Sequence, residues 1–147
     1  HVGGKYFNRN IGVEVKTTGS QSQKNILISN ENQLKFEDRA KLFLVLYVLE
    51  INPNGENIID VYKRILDKLA TNKAKRLFNE KLLEFGIDPN SYSARYSFIM
   101  VSKSCYQINA SFPRISKEQI DSSIFDVKYR VNVDHIPVFN GDVYEEL

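Results

Sequence analysis

The order of hydrophobic and polar positions predicts strands at the beginning of the chain. Residues 11–17 (IGVEVKT) alternate apolar and polar side chains and are rich in β-branched residues, which is typical of a strand with two unlike faces. Residues 18–24 are polar and contain Gly19, so we expect a turn there. Residues 25–29 (NILIS) predict a second short strand, which we expect to form a hairpin with the first.

A short helix start, a long apolar run and a helical stretch follow. Residues 30–35 are typical of the beginning of a helix. Residues 41–51 (KLFLVLYVLEI) are almost continuously apolar and end at Asn-Pro-Asn-Gly, which predicts a strand buried on both faces. Residues 57–86 carry apolar side chains at helical spacing, and this pattern predicts two helices, broken near Thr71 and stopped at Gly86.

The last third of the chain returns to strand patterns. We expect strands over residues 92–101, 105–110 and 124–133. The elements together predict one domain over residues 1–147 of the α/β or α+β class, with a mixed sheet flanked by helices and a β-rich C-terminal extension. Its expected parts are a core over residues 1–56, the helical stretch over 57–86 and the β-rich part over 92–147.

Composition limits the class of protein without identifying a partner. Hydrophobic residues make up 42% of the 147 residues, which is enough for a core, and the net charge of +2 neither indicates nor excludes a nucleic-acid partner. Cys105 is the single cysteine, so no disulfide within the chain is expected, which suits a reducing cytoplasm. The longest apolar run, residues 42–49, has about half the length that spans a bilayer, so no membrane association is expected.

Glu14 and Lys16 are the candidate site residues. Side chains two positions apart on a strand point to the same face, whereas Val13 and Val15 point to the opposite face, toward the expected core. Mg²⁺ or Mn²⁺ binds carboxylate oxygens, which Glu14 provides. Lys16 can orient or deprotonate an attacking water and offset the charge that builds on a phosphate. Because Glu-x-Lys is also common on solvated strand faces, the tripeptide alone leaves a plain surface role open.

The surroundings of these two residues resemble the PD-(D/E)XK nuclease superfamily, and more narrowly the bacterial PD-(D/E)XK motif proteins, which are often encoded beside restriction and phage-defence genes. The segments that carry the resemblance are residues 13–18 (VEVKTT), the short strand ending in Ser29, Gln33-Leu34, the apolar strand that contains Tyr47, residues 111–115 (SFPRI) and residues 127–131 (VKYRV). The resemblance covers most of the chain.

The resemblance implies a restriction-endonuclease-like fold and Mg²⁺- or Mn²⁺-dependent hydrolysis of DNA phosphodiester bonds. The implied partners are DNA, companion restriction or defence proteins and a second copy of the chain in a homodimer. Glu14 would be a metal ligand, Lys16 the group that polarises water and phosphate, and Gln33 a residue that positions Lys16 or a phosphate. Gln33 has a second interpretation, because Asn30 and Gln33 have the spacing of a helix capping box.

Four further residues are candidates for contacts with nucleic acid. Thr17 and Thr18 can donate from their hydroxyl groups to the DNA backbone, and Arg39 and Lys41 can pair with phosphates. Arg114 follows Pro113 in a loop, and we expect its guanidinium to lock that loop by donating to main-chain carbonyls rather than to contact a phosphate.

The chain departs from the superfamily in one feature. The superfamily also needs an acidic residue, usually Asp, on the strand before the Glu-x-Lys strand, and none of the thirteen residues before Glu14 is acidic. Because the chain begins with His1 rather than Met, this residue either lies upstream of the chain or has been lost, and in both cases we expect the chain alone to be inactive. Lys16→Ala should then abolish cleavage by the intact protein and leave folding almost unchanged.

Two other hypotheses remain. The chain is a non-catalytic nucleic-acid-binding or protein-interaction module that retains the nuclease fold, or it is a scaffold domain in which Glu-x-Lys is accidental. The position of Glu14 and Lys16 separates these hypotheses from the first, because an accidental pair would extend into solvent.

Overall fold

The chain divides into two compact units in the computed structural model. Unit 1 consists of His1–Leu49 and Met100–Leu147, and unit 2 consists of Glu50–Ile99. The structure describes residues 5–8 (main chain only), 11–19, 24–35, 41–89, 91, 95–141 and 143. The boundaries expected for the parts of a single domain stay a prediction.

The elements form a mixed α+β fold, as the sequence predicted. In chain order they are β1 (Lys5–Asn8), β2 (Ile11–Thr18), β3 (Asn25–Ile28), β4 (Lys41–Glu56), α1 (Ile58–Lys68), α2 (Asn72–Glu84), β5 (Phe98–Ile108), a 3₁₀ helix (Lys117–Gln119) and β6 (Tyr129–Asn132). None of the helices in the described ranges is long and apolar enough to cross a membrane.

The larger sheet has the strand order β1-β2-β4-β5. β1 is antiparallel to β2, and β2 is parallel to β4 in a register that begins at Ile11 opposite Lys41. The strands predicted over residues 11–17 and 41–51 are therefore confirmed. β4 continues to Glu56, past the Asn-Pro-Asn-Gly segment that was expected to end it. Within unit 2 the Asn52 N–H donates to the Ser97 carbonyl at 2.9 Å, so this polar segment is still paired.

A second sheet consists of β3 and β6, which pair antiparallel with Ile28 opposite Tyr129. The expected hairpin between residues 11–17 and 25–29 is therefore wrong. The reason is that β2 already has a hydrogen-bonded strand on each edge, β1 on one side and β4 on the other, and has no free edge for β3. The short strand instead finds its partner about a hundred residues later in the chain.

Two hydrophobic clusters cover the two faces of the β2–β4 pair. Alternate residues of β4 belong to different clusters, as the two-residue period of a strand requires. The first cluster consists of Ile26, Ile28, Leu34, Leu42, Leu44, Leu46, Tyr106, Ile108, Phe112, Val131 and Val133. The second consists of Ile11, Val13, Phe43, Val45, Cys105 and Val143. The part of β4 from Leu42 to Val48 is thus buried on both faces, as predicted from its apolar run, whereas Glu50 and Ile51 are exposed, so the prediction is wrong for the end of that run.

The two helices of unit 2 begin and end where the sequence predicted. Asn57 caps α1, its side chain accepting from the Asp60 N–H while the Asp60 carboxylate accepts from the Asn57 N–H. Thr71 caps α2 and accepts from the Ala74 N–H at 3.1 Å. Gly86 follows α2 with a φ of 73°, the left-handed conformation in which helices commonly end.

The C-terminal part contains less strand than expected. Parts of the predicted strands over 92–101 and 105–110 form one continuous strand, β5, because residues 102–104 continue the extended main chain. Residues 95–97, 109 and 110 are not in the strand, and residues 92–94 lie outside the described residues. Of the expected strand over 124–133, only Tyr129–Asn132 forms β6. Asp126 breaks the earlier part with a φ of 56°, which no strand accommodates.

Candidate active site

Glu14 and Lys16 lie side by side on β2 and are both buried. Their relative exposures are 2% and 3%. β2 places them opposite Leu44 and Leu46 of β4, whose side chains belong to the first hydrophobic cluster. The two charged groups therefore enter a core rather than solvent. Val13 packs in the second cluster, as expected. The face of β2 that carries Glu14 and Lys16 is covered as well, by the first cluster.

The two charged groups form an ion pair. Lys16 Nζ lies 3.1 Å from Glu14 Oε1. The angles at this contact do not make a hydrogen bond, and Glu14 Oε1 is a buried oxygen with no hydrogen-bond partner among the residues that the structure describes. Glu14 Oε1 can therefore accept a further cation or donor.

Gln33 completes the cluster from a turn that follows β3. Its Oε1 accepts from Lys16 Nζ at 2.9 Å and from the Ser29 N–H at 2.9 Å. The capping-box interpretation is wrong, because residues 30–34 form turns and the Gln33 side chain reaches Ser29 rather than Asn30. Asn30 instead accepts from the Asn32 N–H at 3.0 Å. The structure thus brings Gln33 to Lys16, and a role of Gln33 in catalysis stays a prediction.

Burial of this pair has an energetic consequence. Among the residues that the structure describes, Glu14 and Lys16 are the buried charged side chains. Removing each ion from water carries a penalty of several kcal/mol, about as large as the attraction regained, so such a pair is no evidence of a stability benefit. The expectation that Lys16→Ala leaves folding unchanged assumed a lysine facing the surface, and that assumption is wrong.

The candidate nucleic-acid contacts do not lie together. Thr17 and Thr18 are at one end of β2, and Lys41 is opposite Ile11 at the other end. The separation along the parallel strands is about 20 Å, at about 3.3 Å per residue. Thr18 is on the same face as Lys16, whereas Thr17 is on the opposite face. Arg39 lies outside the described residues, and a DNA contact at any of the four stays a prediction.

Arg114 holds the Gln33 turn from a distant part of the chain. Its Nη1 donates to the Leu34 carbonyl at 2.9 Å, which confirms the expectation that the guanidinium bonds a main-chain carbonyl. The carbonyl is eighty positions away in sequence, and no local pattern indicates that pairing. The sequence also did not predict the contact between Ser29 and Gln33, because the donor is the main-chain N–H of Ser29, a group that every residue except proline has.

Burial also shifts the pKa of Tyr106, the tyrosine of the first cluster. Tyr106 is 1% exposed, and desolvation raises the pKa of its hydroxyl above 10.0, while a hydrogen bond with the Ser104 side chain opposes the shift. Tyr106 therefore stays neutral at neutral pH and adds no charge to the cluster that Glu14 and Lys16 enter.

A mixed sheet whose parallel strand pair carries a buried Glu-x-Lys defines an α+β domain of the nuclease-like class. A family model described as "Putative PD-(D/E)XK family member (DUF4420)" matches residues 7–134, and the chain belongs to this family. The match includes β2, the Gln33 turn and the Arg114 loop, so the resemblance stated from the sequence is confirmed. No curated protein and no solved structure matches the chain.

Proposed function

We propose that this protein is a divalent-metal-dependent nuclease domain that hydrolyses phosphodiester bonds in DNA. The observation that carries the proposal is the buried Glu14–Lys16–Gln33 cluster in an otherwise apolar core. Leucine or methionine side chains at positions 14 and 16 would fill the same space without the desolvation penalty. A function in catalysis or binding explains a buried ion pair at this position better than a gain in stability does, because charged groups in unfavourable environments are common at functional sites.

The residues present fit a divalent cation in part. Glu14 offers a buried carboxylate oxygen without a hydrogen-bond donor in the described part of the chain, which is a ligand that Mg²⁺ or Mn²⁺ accepts. No group of three or more His, Cys, Asp and Glu side chains in the described ranges is arranged to hold a metal. Glu14 would therefore act with water and substrate phosphate, the usual companions of Mg²⁺ when the protein supplies one or two carboxylates. The ion, when bound, supplies Lewis-acid polarisation of the phosphate and of water.

Lys16 and Gln33 supply the rest of the chemistry from this chain. The ammonium has three donors, of which one is directed to Gln33 Oε1. The others can donate to a phosphate oxygen and stabilise the charge that grows there as a water oxygen bonds to phosphorus and the ester P–O bond breaks. Gln33, fixed by Ser29, limits where the ammonium can point. Because both charged side chains are almost fully enclosed, entry of a scissile phosphate requires part of the covering chain to move.

Cleavage of supercoiled plasmid DNA in the presence of Mg²⁺ or Mn²⁺ tests the proposal. The protein should be assayed as this chain and together with any segment that its gene encodes upstream of His1, since β1, the strand before the Glu-x-Lys strand, contains no acidic residue. Glu14→Gln keeps the shape of the side chain and should abolish cleavage. Glu80→Gln is the matched control, because Glu80 is an exposed partner of Arg76 on α2, and this variant should cleave like the wild type.

Two results would contradict the proposal. One is the absence of metal-dependent cleavage by the wild type, assayed as this chain and with any segment that its gene encodes upstream of His1. The other is equal cleavage by wild type and Glu14→Gln. Retained binding of DNA without cleavage would favour the alternative, a non-catalytic nucleic-acid-binding module, for which the lack of a multi-carboxylate cluster in the described ranges is the supporting observation. The companion proteins and the homodimer stay predictions.

A further inference from the structure

The position of Lys16 depends on a turn that has few strong bonds of its own. Lys16 Nζ and the Ser29 N–H both donate to Gln33 Oε1, so the ammonium is held where the Gln33 side chain is held. The main-chain bonds that close the turn, from Gln33 to Asn30 and from Lys35 to Asn32, are long at 3.3 and 3.2 Å. Bonds of that length lie at the long end of the N–H···O range. The shorter bonds within the turn are accepted by the side chains of Gln33 and Asn30.

Two contacts anchor the turn next to Gln33. The Leu34 side chain is fully buried in the first hydrophobic cluster, and the Leu34 carbonyl accepts from Arg114 Nη1 at 2.9 Å. The residue that follows Gln33 is therefore fixed through both its side chain and its carbonyl. A charged donor to a carbonyl is among the stronger hydrogen bonds in proteins, and this one is partly buried.

The loop that delivers Arg114 is itself fixed on both sides. Phe112 is 4% exposed and packs in the first cluster, two residues before Arg114. Ile115, the next residue, donates its N–H to the Tyr129 hydroxyl at 3.2 Å. Tyr129 is on β6, opposite Ile28, the last residue of β3 before Ser29. The guanidinium thus extends from a loop that is bonded to the same small sheet from which the Gln33 turn departs.

We infer that Arg114 is a positioning residue of the Glu14–Lys16 site, acting through the Leu34 carbonyl and Gln33. Arg114 fixes the turn, the turn fixes Gln33 Oε1, and Gln33 fixes the direction of the Lys16 ammonium. The inference rests on the proposed function for its consequence in catalysis, whereas its effect on the direction of the Lys16 ammonium rests on the series of contacts alone. A planar guanidinium holds its remaining N–H donors in fixed directions while one N–H bonds the carbonyl, whereas the donors of a lysine ammonium rotate about a single bond.

The test combines NMR of the Lys16 ammonium and the Gln33 side-chain amide with cleavage kinetics. Arg114→Met should shift both signals and speed proton exchange at Lys16 Nζ. In a protein that cleaves DNA, kcat should fall by roughly 10- to 100-fold with little change in KM, the usual effect of removing a group that orients a catalytic ligand. Lys117→Met is the matched control, because Lys117 is an exposed cation lining the same small pocket as Arg114, and its substitution should change neither readout.

A double variant separates positioning from plain stabilisation. If Arg114 acts through Gln33, adding Arg114→Met to Gln33→Met should cause no further change in the Lys16 signal or in kcat, whereas independent effects would add. Should Arg114→Met fail to fold, Arg114→Lys serves instead and should give the same changes at a smaller size. Unchanged Lys16 and Gln33 signals in a folded Arg114 variant would overturn the inference. Absence of cleavage by the wild type, also when assayed with any segment that its gene encodes upstream, would overturn the proposed function alone, because the NMR comparison still decides the coupling.

Discussion

Lys16→Met removes the ammonium group from the buried pair and keeps an unbranched side chain of similar length. Glu14 then stays in the core without its partner, 2% exposed, and Gln33 Oε1 loses a charged donor. Breaking a buried ion pair in this way destabilises a protein by about 3–5 kcal/mol. For a chain of this size, that is a fall in the melting temperature of about 6–20 °C.

The paired substitution Glu14→Leu with Lys16→Met gives the matched comparison. Both charges are then absent, and apolar side chains lie beside Leu44 and Leu46 in the first cluster. Replacement of a buried pair by apolar residues of similar volume is commonly neutral or stabilising by about 1–4 kcal/mol. The double variant should therefore be at least as stable as the wild type while lacking any metal-dependent activity.

Urea unfolding followed by far-ultraviolet circular dichroism measures both effects, since the chain contains no tryptophan for fluorescence. A loss of less than about 1 kcal/mol in Lys16→Met would show that the pair behaves as a solvent-screened surface pair, and the reasoning from burial would be refuted. A double variant as unstable as Lys16→Met would also refute it, because the pair would then contribute stability of its own.

Two further predictions concern parts of the fold outside the pair. Burial raises the pKa of Tyr106 above 10.0, so in alkaline solution the folded protein retains a proton that the unfolded chain loses. The contribution of this group to stability is therefore complete below pH 10 and is lost as the pH rises through the folded pKa. Tyr106→Phe should flatten this loss of stability when urea unfolding is repeated at increasing alkaline pH. A Cβ at Gly55 would overlap the Phe98 main chain, so Gly55→Ala should destabilise unit 2 by about 1–3 kcal/mol in thermal unfolding. Gly19→Ala is the control and should destabilise the protein much less, because a Cβ there makes only an ordinary van der Waals contact. Equal losses of stability in the two variants would contradict this account.

Local patterns predicted the elements that depend on local chemistry. β2 and β4 follow from two-residue alternation and from a continuous apolar run, and the helix boundaries follow from Thr71 and Gly86. The pairing of β3 was predicted wrongly, because its partner β6 is far along the chain and turn spacing favours the nearer strand. β4 runs past its turn-like segment, where the Asn52 N–H donates to the Ser97 carbonyl, a residue far along the chain that no local pattern indicates.

The sequence predicted which residues of the candidate site share a strand face, but it did not predict that they are buried. Strand period places Glu14 and Lys16 on one face, and the resemblance supplied Gln33. Burial could not be read from the tripeptide, because it depends on a second sheet that covers this face. The bond from Arg114 to the Leu34 carbonyl joins segments eighty positions apart and depends on the same long-range packing. Tertiary contacts thus decide whether the two charged side chains of a Glu-x-Lys segment are exposed to solvent or buried in the core.

The most direct test of the account is a titration with Mn²⁺ monitored by NMR line broadening, because a paramagnetic ion broadens signals near its binding site. The account predicts selective broadening of the β2 signals around Glu14 and of the Gln33 side-chain amide, and loss of that broadening in Glu14→Gln. Broadening that is absent, or that persists unchanged in Glu14→Gln, would contradict the claim that this buried carboxylate is a metal ligand.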